Sequence, residues 1–173
     1  MHCLSHRLVG GTTLLACAAA GSVSAAPEFL ARYAGSFSGS GTILEGPEAS
    51  PHKVRCSFTI LQQGATDLSL QGTCRAYLIV ARSVSARLSW DPRSGQVTGT
   101  YSGSRVGMAQ LSGRQVGTDF DLTIQWPRPL YGDMAAEMSV VSFDPDRLRI
   151  VVTDRIGVNG PVRATTDLTL LRR

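Results

Sequence analysis

Residues His52–Leu61 and Asp67–Tyr77 both alternate apolar and polar side chains, and each carries one cysteine equidistant from a turn at Gly64–Ala65. Alternation with a period of two is the pattern of a half-buried β-strand. Folding the segment about that turn sets Cys56 against Cys74, Phe58 against Gly72 and Ile60 against Leu70, all on one face. Opposed cysteines suit the ~3.5–4.5 Å Cβ separation of a disulfide. A one-residue slip would send every apolar side chain to the other face, so the pairing of the two cysteines pins the register of the whole hairpin.

The beginning of the chain reads as an export signal. Arg7 closes a short basic segment, Leu8–Val23 is apolar or small, and Val23-Ser24-Ala25 supplies small residues for cleavage before Ala26. Removal of residues 1–25 as a signal peptide takes Cys3 and Cys17 away and leaves Cys56 and Cys74 as a pair in an oxidising compartment. The expected location is the periplasm or the exterior. An alternative lies in the same segment. Leu14-Leu15-Ala16-Cys17 resembles a bacterial lipobox, and a lipid on Cys17 would anchor the protein without changing its fold. No later stretch approaches the ~20 strongly apolar residues of a transmembrane helix, so no such span is expected in the mature chain.

Residues 26–173 suit one domain. Their alternating segments are Tyr33–Leu44, the two arms of the hairpin, Arg82–Trp90, Gln96–Ser102, Met108–Arg114, Asp119–Trp126, Asp133–Ser142, Arg147–Asp154 and Arg163–Arg172. Turn residues separate them, as in Asp91-Pro-Arg-Ser-Gly95 and Asp144-Pro145-Asp146. The loop Pro127–Gly132 is expected to end the seventh strand, and no helix is expected after the signal. Short connections favour neighbouring antiparallel strands. A meander of this length exposes two edges unless it closes. The expectation is an all-β fold, an antiparallel up-and-down β-barrel of eight to ten strands of avidin or lipocalin type. Alternation does not say which face is inside. Strands mostly shorter than the ~9–11 residues of membrane barrels, without aromatic girdles, favour an apolar interior.

Residues 83–173 carry a set of short motifs in a particular order. Gly95-Gln-Val-Thr-Gly-Thr-Tyr101 is followed by Val106-Gly107-Met-Ala109, Leu111-Ser-Gly-Arg114, Thr123-Ile-Gln-Trp126 and Thr166-Asp167. This stretch resembles the avidin and streptavidin family. The resemblance implies an eight-stranded barrel closed around biotin, with Tyr101, Trp126 and Asp167 lining the pocket. Met138 and Val152 stand near where that family places further tryptophans, so the biotin set is incomplete and the resemblance bears on the barrel.

Candidate chemistry is sparse. His52 is the only histidine and Lys53 the only lysine after residue 25, and no cysteine remains free if Cys56 and Cys74 pair. A Ser-His-Asp site would have to be built around His52, and one histidine without a free thiol cannot make a zinc site. Asp119 and Asp121 share a strand face and read as its polar side. The expectation is a protein that is not an enzyme and has neither metal nor cofactor. Loss of Arg7 with the signal takes the formal charge from +4 to +3, and all but one of the seventeen basic residues are arginine. That excess fits either a solvated mixed surface or attraction to an anionic component of the cell envelope. Nucleic acid is not an expected partner, since no basic run is interleaved with aromatics. Two readings of function stay open. In one, the barrel binds a small apolar or amphipathic ligand in a cavity lined by Tyr101, Trp126 and Met138. In the other, the core is solid and the protein is an envelope interaction protein or inhibitor, acting through loops such as the one carrying Leu130 and Tyr131.

Overall fold

The computed structural model describes residues 26–76 and 80–173. The signal segment, Cys17 and Tyr77 lie outside the described residues. One short helix, α1 (Ala26–Ala31), is followed by β1 (Gly35–Ile43), β2 (His52–Gln63), β3 (Asp67–Ala76), β4 (Val80–Trp90), β5 (Gln96–Ser102), β6 (Ala109–Val116), β7 (Asp119–Leu130), β8 (Asp133–Asp144), β9 (Arg147–Arg155) and β10 (Val162–Arg172). Each strand pairs antiparallel with the next, and β1 pairs with β10 to close the barrel. Closure removes both edges, and it settles the strand number at ten.

The hairpin registers as its letters require. Cys56 faces Cys74 and is bonded to it, Phe58 faces Gly72 and Ile60 faces Leu70. A Cβ on Gly72 would collide with the Ser57 carbonyl oxygen and the Phe58 ring, so glycine is what lets that ring lie across the sheet. The apolar face points inward: Val54, Cys56, Phe58 and Ile60 are buried, while Lys53, Arg55 and Thr59 are exposed.

Two elements depart from the sequence expectation. The first is α1. A six-residue helix is too short to persist by itself, and its amphipathic signal is lost in so brief a segment. It is held by what it covers. Leu30 and the following Tyr33 are buried, and Phe29 stacks at 4.8 Å on Trp90 and at 5.3 Å on Phe120. This aromatic cluster floors one end of the barrel. Arg172 fastens the floor, donating to the carbonyls of Arg32, Ala34 and Pro145 and lying 4.6 Å over the Phe37 ring. The second is the segment after Trp126. Strand β7 runs on to Leu130 rather than ending at Pro127. The β7–β8 ladder skips from Gln125 to Leu130. Pro127 and Pro129 therefore sit where no ladder donor is required of them.

Candidate functional site

The end opposite the helix is open. The strands there carry inward-facing side chains that leave two connected spaces. The deeper is an apolar chamber of about 130 Å³, walled by residues that include Leu70, Val84, Leu88, Met138, Val140 and Ile150. These six belong to the apolar interior yet are only partly buried. They keep exposed surface because they face the chamber. Above it lies a more polar vestibule of about 200 Å³, with Glu45, His52, Arg82, Arg105, Trp126 and Tyr131 among its walls. Tyr101, Val84, Val152 and Thr166 line both spaces. A dry apolar cavity of ~150 Å³ accepts a molecule the size of benzene, so the chamber has room for one ring or a short chain.

The vestibule gathers most of the predicted residues. Tyr101 and Trp126 meet edge to face at 6.2 Å between ring centroids. Met138 lies deeper, in the chamber wall. Burial pushes the Tyr101 hydroxyl above its usual pKa, and the Arg82 charge pulls it partly back. Leu130 and Tyr131 are not an outward-facing loop pair. Leu130 is buried and both line the vestibule, because β7 carries them up the inner face before the chain turns. Tyr131 has φ 59°, a conformation uncommon for a bulky residue. Its hydroxyl donates to the Leu44 carbonyl, and its own carbonyl accepts from the Gly157 N–H at 2.6 Å. The ring is thus fixed across the opening.

Asp167 stands elsewhere. Its carboxylate forms a two-point bond to Arg149 at 2.9 and 2.8 Å on the outer surface of the barrel. That pairing holds its pKa below the usual carboxylate value. The reason lies in the pleat: Leu168 and Leu170 take the inward positions, and Asp167 and Thr169 take the outward ones. His52 lies in the vestibule wall with Nε2 3.3 Å from Glu45 Oε1. Among the described residues, no three His, Cys, Asp or Glu side chains are grouped as a metal site.

The sequence reading missed Asp154. Leu148, Ile150, Val152 and Asp154 share the inward face of β9, and Asp154 is only 2% exposed. Trp126 Nε1 donates to its Oδ2 at 3.3 Å, while its Oδ1 is buried with no hydrogen-bond partner. Burial raises its pKa to about 7, and the neighbouring Asp133 carboxylate adds to the rise. An aspartate completing an apolar alternation was the available signal.

No protein-family model and no curated protein sequence matches this chain. Among solved structures, Rv2717c from M. tuberculosis superposes with a TM-score of 0.66 at 19% identity, over 88% of this chain and 99% of that one. The S-type phycobiliprotein lyase CPES from Guillardia theta gives a TM-score of 0.60 at 14% identity, over 84% of this chain and 91% of that one. The likeness is one of fold. It supports the lipocalin- or avidin-like barrel; neither of these two neighbours is named as an avidin. It also corrects one expectation. A barrel of this form serves a protein named as a lyase, so the sparse catalytic residues of the sequence were no ground for excluding an enzyme.

Proposed function

We propose that this protein is exported and takes a small apolar or amphipathic molecule through its open mouth. The apolar part of the ligand enters the chamber against Met138, and its polar part stays among Tyr101, Trp126 and Tyr131. The observation that carries this reading is the unfilled chamber, about 130 Å³ of space walled by apolar side chains. A barrel of this size can instead be filled by its own side chains, and leaving it hollow forgoes dispersion contacts along the whole wall. Occupation by a ligand restores them.

Export rests on the leader-like first residues and on a bonded cysteine pair, which persists in oxidising compartments. The intact mass of protein recovered from the cell envelope tests it. A chain beginning at Ala26 supports cleavage, a lipidated Cys17 supports the anchored form, and an unprocessed chain refutes both. Binding is tested by native mass spectrometry of the purified protein and by titration with an environment-sensitive apolar dye. A copurifying small molecule or saturable dye enhancement is expected. Neither appearing would refute the proposal.

A further inference from the structure

We propose that the rim of the barrel mouth, from the start of β6 to the start of β10, docks on an anionic phospholipid bilayer. The rim here is one connected sector. Arg128 donates to the Val106 carbonyl at 3.3 Å, joining the end of β7 to the loop before β6. Gly157 donates to the Tyr131 carbonyl at 2.6 Å, joining the β9–β10 loop to the β7–β8 turn.

Two features of this sector coincide. Met108, Met134, Val158 and Val162 expose 60%, 39%, 78% and 59% of their surface, although the barrel has an interior for such side chains. Interspersed with them are the exposed Arg105, Arg128, Arg155 and Arg163. Three of these arginines give a donor to a carbonyl: Arg105 to Glu45, Arg128 to Val106 and Arg155 to Gly160. A carbonyl leaves the guanidinium charge uncompensated and most of its donors unused. At the rim of the sector Asp154 is buried and Asp133 lies partly buried beside it; the exposed carboxylates nearby are Glu137, lower on the outer wall of β8, and Glu45, on the neighbouring β1–β2 loop.

The closed end also exposes apolar side chains, Leu61, Val116, Phe143 and Leu171, and arginines, but there exposed carboxylates such as Asp91 and Asp146 stand among them. Among the described residues, the arginines that pair with carboxylates are Arg147 and Arg172 at that end, with Asp144 and Asp146, and Arg149 on the outer wall, with Asp167. None of the four rim arginines does so. Guanidinium groups match phosphate geometry, and apolar side chains between them can enter the boundary between headgroups and acyl chains. Docked in this way, the mouth opens onto the lipid. The docking requires no occupant in the chamber, so it stands apart from the ligand proposal.

Flotation of the purified protein with phosphatidylcholine vesicles, with and without phosphatidylglycerol, tests the proposal. Binding is expected only with phosphatidylglycerol, and weakening as salt is raised. One arginine at such a surface is worth roughly fivefold in partitioning. Arg128→Ala with Arg163→Ala should therefore lower binding on the order of 25-fold. Val158→Asp, at a position with little to unfold, should also weaken it. Arg93→Ala with Arg114→Ala makes the same charge change at the closed end and should leave binding within about twofold. Equal loss in both double variants would overturn the proposal, because net charge alone would then explain attraction. So would indifference to phosphatidylglycerol, or retention on a soluble polyanion without vesicle binding.

Discussion

Replacing Asp154 by asparagine should change how stability depends on pH. An amide has the shape of the neutral acid. Its oxygen can accept from Trp126, and its NH2 can be offered to Asp133, so the amide mimics the protonated side chain at every pH. In the native protein the pKa of Asp154 rises from 3.8 to about 7. Between those values the folded state holds its proton and the unfolded chain releases it. The stabilisation of the neutral form is complete below about pH 3.8, is lost as pH rises, and has gone above about pH 7. Integrated from pH 5 to pH 8, the loss is about 2–3 kcal/mol, or roughly 5–10 °C in Tm for a domain of this size. Asp91, Asp144 and Asp167 have lowered pKa values. They are ionised in both states above pH 5 and add no slope in that window. Thermal and urea unfolding of both proteins, followed by circular dichroism at fixed ionic strength, gives the measurement. The native protein should lose stability across pH 5–8 and the Asp154→Asn variant should not. Parallel curves would refute the assignment of a neutral acid inside the barrel.

Ala86→Phe places a ring in the chamber, and dye binding should fall at least about tenfold while the fold is kept or strengthened, since the space it enters is empty; unchanged titration would move the ligand elsewhere. Asp167→Ala breaks only an exposed pair with Arg149, so dye affinity should move by less than about twofold, against the pocket role that an avidin-like last strand implies. Replacing Cys56 and Cys74 together by alanine opens a link across 18 residues of sequence separation and should cost about 3 kcal/mol in urea unfolding, mostly through the unfolded chain. Asp133→Asn removes the neighbouring carboxylate and should lower the pKa of Asp154, so that the loss of stability still begins near pH 3.8 but is smaller and ends at lower pH.

Tyr101, Trp126 and Met138 were legible as interior candidates because they sit on apolar faces of alternating strands. Asp154 was not, although it ends the run Leu148, Ile150, Val152 on the same face. A carboxylate at a strand end ordinarily marks the point where a chain leaves the sheet for water. Only the neighbouring Trp126 and Asp133, brought by β7 and β8, show that this one is inside. Leu130 and Tyr131 were placed in a loop because two prolines precede them. The prolines fall where the ladder is interrupted, and strand order, not local preference, decides that. The floor was hidden for a similar reason: Phe29, Leu30 and Tyr33 are few, and their partners Trp90 and Phe120 lie far along the chain.

The letters alone determined the strands, their antiparallel order and the Cys56–Cys74 register, because these depend on a period of two and on turns of a few residues. Only the tertiary structure decided that the expected ring holds ten strands rather than eight, that the helix seals one end, and that a chamber stays open at the other. Those outcomes depend on how side chains distant in sequence share one interior volume, a quantity that no local pattern encodes.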